Sequence, residues 1–175
     1  MASTTNSCSF IDTILPVMGS TPSAIAKTDI IWDENQRMFI TNQYTSAAGH
    51  TYYLGVRFCD QFITVIHVGM YYNWTYLDGI DIYAFDGYEK RLISQKKFGK
   101  EFYNEVLVRR TVEETLANHV SAQAKMLGRN INIKEIGAEI SRLVDKSYCS
   151  LLDNPDTIKK LDAVRPILES ELRAS

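Results

Sequence analysis

From Ile30 to Arg109 apolar residues either alternate with polar ones or form short unbroken runs rich in β-branched and aromatic side chains. From Thr111 onward they recur at three- and four-residue spacing. The first pattern suits strands, whose side chains alternate between faces, and the second suits amphipathic helices.

Ile30–Ile40 reads as a first strand with Asp33-Glu34-Asn35 as an internal turn, and Thr45–Gly49 as a loop. Thr51–Cys59 is expected to place Tyr52, Leu54, Val56 and Phe58 on one face and Tyr53, Gly55, Arg57 and Cys59 on the other. After a turn at Asp60-Gln61, the apolar run Phe62–Val68 suits a central strand buried on both faces. Gly69 separates it from Met70–Leu77. Asp78-Gly79 and Asp86-Gly87 both carry the composition of tight hairpin turns, where Asp tolerates and Gly prefers positive φ. The second is expected to join Ile80–Phe85 to Tyr88–Ile93.

Phe102–Arg109 alternates and is read as a last strand, because Thr111-Val-Glu-Glu114 matches a capping box that would start a helix at Val112. That helix would carry Val112, Leu116, Val120 and Leu127 on one stripe and end at Gly128. A second cap, Asn132-Ile-Lys-Glu135, precedes a stripe of Ile136, Ile140, Leu143, Val144 and Leu151. Asn154-Pro155 opens a third helix with Ile158, Leu161, Val164 and Leu168, which Pro166 should kink. Residues 1–29 read as loop, with a short helical turn around Phe10, Ile11, Ile14 and Leu15.

The predicted architecture is α+β: a mostly antiparallel meander of five to six strands over about 30–109, followed by three helices packed on one sheet face. One domain over 1–175 is expected, with the helical region at 111–173, since a chain of this length buries enough surface to fold without metal or disulfide staples.

Composition narrows the function classes. A net charge of -2 argues against a general nucleic-acid-coating role, which depends on an excess of Lys and Arg. Cys8, Cys59 and Cys149 are odd in number and widely spaced, so neither a disulfide scaffold nor a cysteine metal site is expected; the usage suits a reducing cytoplasm. No metal and no cofactor is expected. The first twenty residues have no basic segment before their short apolar run and do not read as a signal peptide, and no stretch is apolar enough to span a bilayer.

Three groups carry candidate chemistry. Lys90, Arg91, Lys96, Lys97, Lys100, Arg109 and Arg110 fall within 21 residues, interleaved with Tyr88, Phe98, Phe102 and Tyr103. Such a segment attracts phosphate or an acidic partner, although lysines also guard sheet edges. Tyr71, Tyr72, Trp74 and Tyr76 form an aromatic run in which Tyr72, Trp74 and Tyr76 would share a strand face, as a binding surface or as cross-strand packing. His67 sits in the most apolar strand and would act as an acid or base only if Asp78, Asp81 or Tyr83 lay across the sheet. His50 reads as surface, and His119 and Glu114 are too far around a helix to share a metal. Ile131–Leu152 reads as one amphipathic helix rather than a helix-turn-helix.

The expected function is therefore a non-catalytic cytoplasmic binding or regulatory protein. Its binding residues would be Tyr72, Trp74, Tyr76, Lys96, Lys97, Arg109 and Arg110, and a protein partner or self-association is favoured over nucleic acid or membrane. The alternatives are a small hydrolase or transferase using His67, Asp78 and Asp81 in a sheet–helix cleft, and nucleic-acid binding through residues 90–110.

Overall fold

A computed structural model describes residues 29–174, so the expected turn at residues 10–15 lies outside the described residues. The chain runs β1 (Ile31–Asp33), β2 (Met38–Ile40), β3 (Tyr44–Thr45), β4 (Thr51–Cys59), β5 (Phe62–Tyr71), β6 (Trp74–Phe85) and β7 (Lys90–Phe102). Three helices follow: α1 (Glu105–Met126), α2 (Ile133–Lys146) and α3 (Pro155–Ala174). The seven strands form one antiparallel sheet in the order β1-β2-β4-β5-β6-β7, with β3 also pairing with β4. This is the α+β meander read from the pattern, with its edge strand broken into short pieces. Among the described residues no helix is long and apolar enough to cross a membrane.

The alternation along β4 and β5 builds a core on each face. Leu54, Val56 and Phe58 stand opposite His67, Val65 and Ile63, and the apolar members join Trp32, Phe39 and the α3 residues Leu161, Val164 and Leu168. Tyr53, Cys59, Phe62, Ile66 and Val68 point the other way and join Val108, Val112 and Leu116 of α1 and Ile140 and Val144 of α2. The helical layer expected on one face is thus divided: α1 and α2 cover one side and α3 the other. A central strand apolar on both faces demands this, because either face left in water would expose several large side chains.

Three boundaries differ from the sequence reading. Phe102–Arg109 is not a strand. Asn104 accepts from the Val106 amide and caps α1 there. The Thr111 pattern therefore lies inside the helix, where the Thr111 hydroxyl donates to the Leu107 carbonyl instead of capping. Asp78-Gly79 is not a turn either. It lies within β6, and the β5–β6 hairpin turns earlier, at Tyr72-Asn73, where Tyr72 takes φ 55°. Gly69 does not separate strands but runs within β5, opposite Tyr76. The hairpin expected at Asp86-Gly87 does join β6 to β7, but through a four-residue loop from Asp86 to Glu89 rather than a two-residue turn. There the Asp86 carboxylate accepts from the Tyr88 and Glu89 amides, which holds its carboxyl below the usual range. The caps at Asn132 and Asn154 form as read, and α3 continues through Pro166.

A buried guanidinium ties these layers together. Arg57 on β4 is nearly inaccessible and donates to the Arg37 and Gln36 carbonyls and, at 2.5 Å, to Glu105 at the first position of α1. The Tyr103 and Tyr148 hydroxyls also donate to Glu105, and the Tyr148 ring lies 4.1 Å from the guanidinium carbon. Burial, together with the charge of Glu105, keeps both phenols protonated well above their ordinary range.

Candidate functional site

The core beneath α3 leaves a gap at one end. On that face the row Ile63, Val65 along β5 continues into His67, which stands opposite Leu54, and Glu171 and Leu172 of α3 border the opening. His67 and Asp78 are shared by two adjoining clefts. One, of about 460 Å³, is lined also by Gly79, Asp81, Gln95, Lys97 and Glu171. The other, of about 270 Å³, is lined also by Ser46, Tyr52, Leu54 and Leu172.

The backbone explains how these groups meet. Between His67 and Val68 the β5–β6 register slips, and Asp78 is the residue left out of the ladder. On its other side β7 bulges at Phe98-Gly99-Lys100, where Gly99 and Lys100 take φ 61° and 65°. A bulge re-aims a side chain, and Asp78 here borders both clefts together with His67. Gly79 stands directly opposite both His67 and Lys97, and a Cβ there would lie 3.1 Å from the Lys96 carbonyl and 3.8 Å from the His67 ring. The Asp-Gly pair thus marks a bulge and a close approach rather than a turn.

Asp81 is almost fully buried and its Oδ2 lies 3.0 Å from His67 Nε2; Glu171 Oε2 from α3 lies 4.0 Å from the same nitrogen. Burial alone would lower the His67 pKa. The Asp81 hydrogen bond and the charges of Asp81, Glu171 and Asp78 outweigh it, so the imidazolium is favoured beyond its ordinary range. Tyr83, on the same face of β6, is pushed up to about 12 by burial and by the charges of Asp81 and Glu171. The structure therefore brings together His67, Asp78 and Asp81, the three residues considered for acid–base chemistry. It adds Glu171, which the sequence reading did not single out. Nothing in the chain signals Glu171, because it comes from the last helix and meets the others only through the packing of α3.

The aromatic residues lie on the same face, beyond the end of α3. Tyr76 is wholly buried between its neighbours: its hydroxyl lies 2.8 Å from His50 Nδ1, and its ring lies 4.9 Å from Trp74 and 6.4 Å from Tyr52. It packs over Gly69, where any Cβ would collide with the ring. His50 is no plain surface residue, since it also stacks on Tyr71 at 4.4 Å. Tyr72 is 88% exposed in its turn and Trp74 38%. Of the expected binding trio, Tyr76 is thus packing, while Tyr72 and Trp74 remain accessible.

The basic residues separate. Lys96 stands opposite Ile80 and its ammonium lies 5.3 Å from the Phe98 ring, Lys97 stands opposite Gly79, and both residues border the His67 cleft. Both belong to the exposed edge strand β7. Arg109 lies on α1, paired with Glu113 and Asp145 and bonded to Ser141, while Arg110 is exposed beside it.

Cys59 is sealed in the core, and burial, with the charge of Asp60, raises its thiol to about 12, so it is not a nucleophile. Iodoacetamide should modify the exposed Cys149 in native protein and reach Cys59 only as the chain unfolds. Peptide mapping against time checks this, and equal labelling of the two would refute the burial.

Comparison of the chain with protein families, with curated proteins and with solved structures finds no match, so the reading of this cleft rests on its own geometry.

Proposed function

We propose that this is a binding protein whose working site is the pair of clefts around His67, taking a small polar molecule. The observation that carries this reading is the His67–Asp81 pair. A part-exposed imidazole, held at 3.0 Å by a buried carboxylate, stands at the junction of two openings and is flanked by Tyr52 on one side and Lys97 on the other. Ligand sites combine an enclosed surface with a few convergent polar groups in this way. Tyr72 and Trp74 extend the same face and supply rigid area for a larger ligand or a protein partner.

Amide-resolved NMR with libraries of amino acids, sugars and amines tests the reading, alongside native mass spectrometry for molecules retained through purification. Shifts centred on Tyr52, His67, Gly79 and Lys97, lost in His67→Ala, are the expected result. Shifts confined to Tyr72 and Trp74, together with concentration-dependent dimerisation, would replace it with a protein interface.

A second reading, acid–base catalysis in a small hydrolase or transferase, draws support from the same pair. It is the weaker of the two, because among the described residues no hydroxyl or thiol bonds to His67, and because the favoured imidazolium is an acid rather than a base.

A further inference from the structure

We propose that His67, Asp81 and Glu171 form a binding site for one divalent transition-metal ion, with zinc the best fit. The three come from β5, β6 and α3, so only the assembled fold presents them. His67 Nε2, Asp81 Oδ2 and Glu171 Oε2 all lie within 4.8 Å of one another, with separations of 3.0 Å and 4.0 Å from the histidine nitrogen.

Zinc bound tetrahedrally at about 2.0–2.2 Å needs ligand atoms about 3.3–3.5 Å apart. The separations, 3.0 Å and 4.0 Å from His67 and none above 4.8 Å, straddle that value, so side-chain shifts of about an ångström would close the site. The imidazole nitrogen selects against calcium and magnesium, which prefer all-oxygen shells. Two carboxylates match the charge of a divalent ion, and Asp78 beside them deepens the negative field. Three protein ligands would leave a fourth position for water or for an anionic group, and Lys96 and Lys97 border the same cleft as the three ligands.

The Asp81–His67 contact is a hydrogen bond through Nε2. The ion would replace the proton shared there, with Nε2 and Oδ2 becoming ligands and the proton passing to solvent. Glu171 would then fasten the last turns of α3 to the sheet.

This inference rests on the His67 cleft being the working site, and its test separates the two. Untagged, chelator-stripped protein is titrated calorimetrically with zinc chloride, with magnesium and calcium chloride as controls. One zinc per chain is expected, with a melting temperature that rises with zinc concentration and no comparable response to magnesium or calcium. Glu171→Gln and His67→Gln should each weaken binding by roughly 10–100-fold or more, because losing even an outer-shell partner costs that much. Glu171 is part-exposed, so its variant should keep the fold, and circular dichroism checks this. Absence of one-to-one binding, or zinc binding that both variants leave unchanged, would overturn the proposal. If zinc fails while the NMR screen still places a small molecule at His67, only the metal site falls. If both fail, the reading of the cleft falls with it.

Discussion

Glu105→Ala should destabilise the protein by about 3–5 kcal/mol, more than Arg57→Met, even though Glu105 is the more exposed partner of the pair. The order follows from where the orphaned charge remains. Without Glu105 the guanidinium stays 4% exposed with only the Gln36 and Arg37 carbonyls as acceptors, a buried charge with no counter-ion. The Tyr103 and Tyr148 hydroxyls lose their acceptor as well. Without Arg57 the carboxylate is left at 42% exposure, hydrated and still bonded to both phenols. The cost is then about 1–3 kcal/mol for the two unsatisfied carbonyls, partly offset by the apolar methionine. Urea denaturation of the two variants measures both terms. Arg57→Met proving the more damaging, or both falling under about 1 kcal/mol, would mean that water reaches the pair and that it does not join β4 to α1. Against a total stability of about 5–15 kcal/mol, typical of a domain, the larger loss is a sizeable fraction.

Leu116→Ala and Leu168→Ala should each cost about 2–5 kcal/mol, and the two costs should add. Both side chains are wholly buried, Leu116 among the residues of α1 and α2 and Leu168 among those of α3. The sheet lies between them and the two clusters share no residue, so a cavity on one side has nothing to relax into on the other. Distant sites without common partners add to within about 0.3–0.5 kcal/mol. The double variant approaches the whole stability of a domain, so the cycle is best measured in trimethylamine oxide, which strengthens burial in all four proteins. A coupling beyond about 1 kcal/mol would show that the faces form one core and that the division of the helices is wrong.

The candidate site lies in a small region where the ladder is irregular. β5 and β6 pair regularly up to His67 and Gly79, and the slip at Asp78 then gathers a histidine and two aspartates at the place where α3 stops covering the sheet. Bulges and unpaired residues cost pairing energy. One that places three ionisable groups around a cleft is a structural investment that the packing of the rest of the sheet supports.

The chain alone determined the elements whose cause is local. Period-two patterning located β4, an unbroken β-branched apolar run located most of β5, the spacing of Leu161, Val164 and Leu168 located the buried stripe of α3, and the Asn132 and Asn154 side chains cap their helices with the oxygens that made them readable. It went astray where two local signals competed. Asn104 and Thr111 are both competent caps, and α1 takes the earlier one because starting there buries Val108 and sets Glu105 against Arg57. Asp78-Gly79 has turn composition, but extended pairing with β5 and β7 outweighs a two-residue preference.

The candidate site belongs to the other class. His67, Asp78 and Asp81 could be named beforehand as residues of the right chemistry, yet whether they met depended on register, and one residue of slip reverses every side chain of a strand. Glu171 could not be named at all, because its nearness to His67 arises from a helix far along the chain lying across the opposite face from α1 and α2. Patterning along a sequence records which face of each element is apolar. Which faces meet, and which polar groups are left at the gap between them, is settled only when the whole core packs.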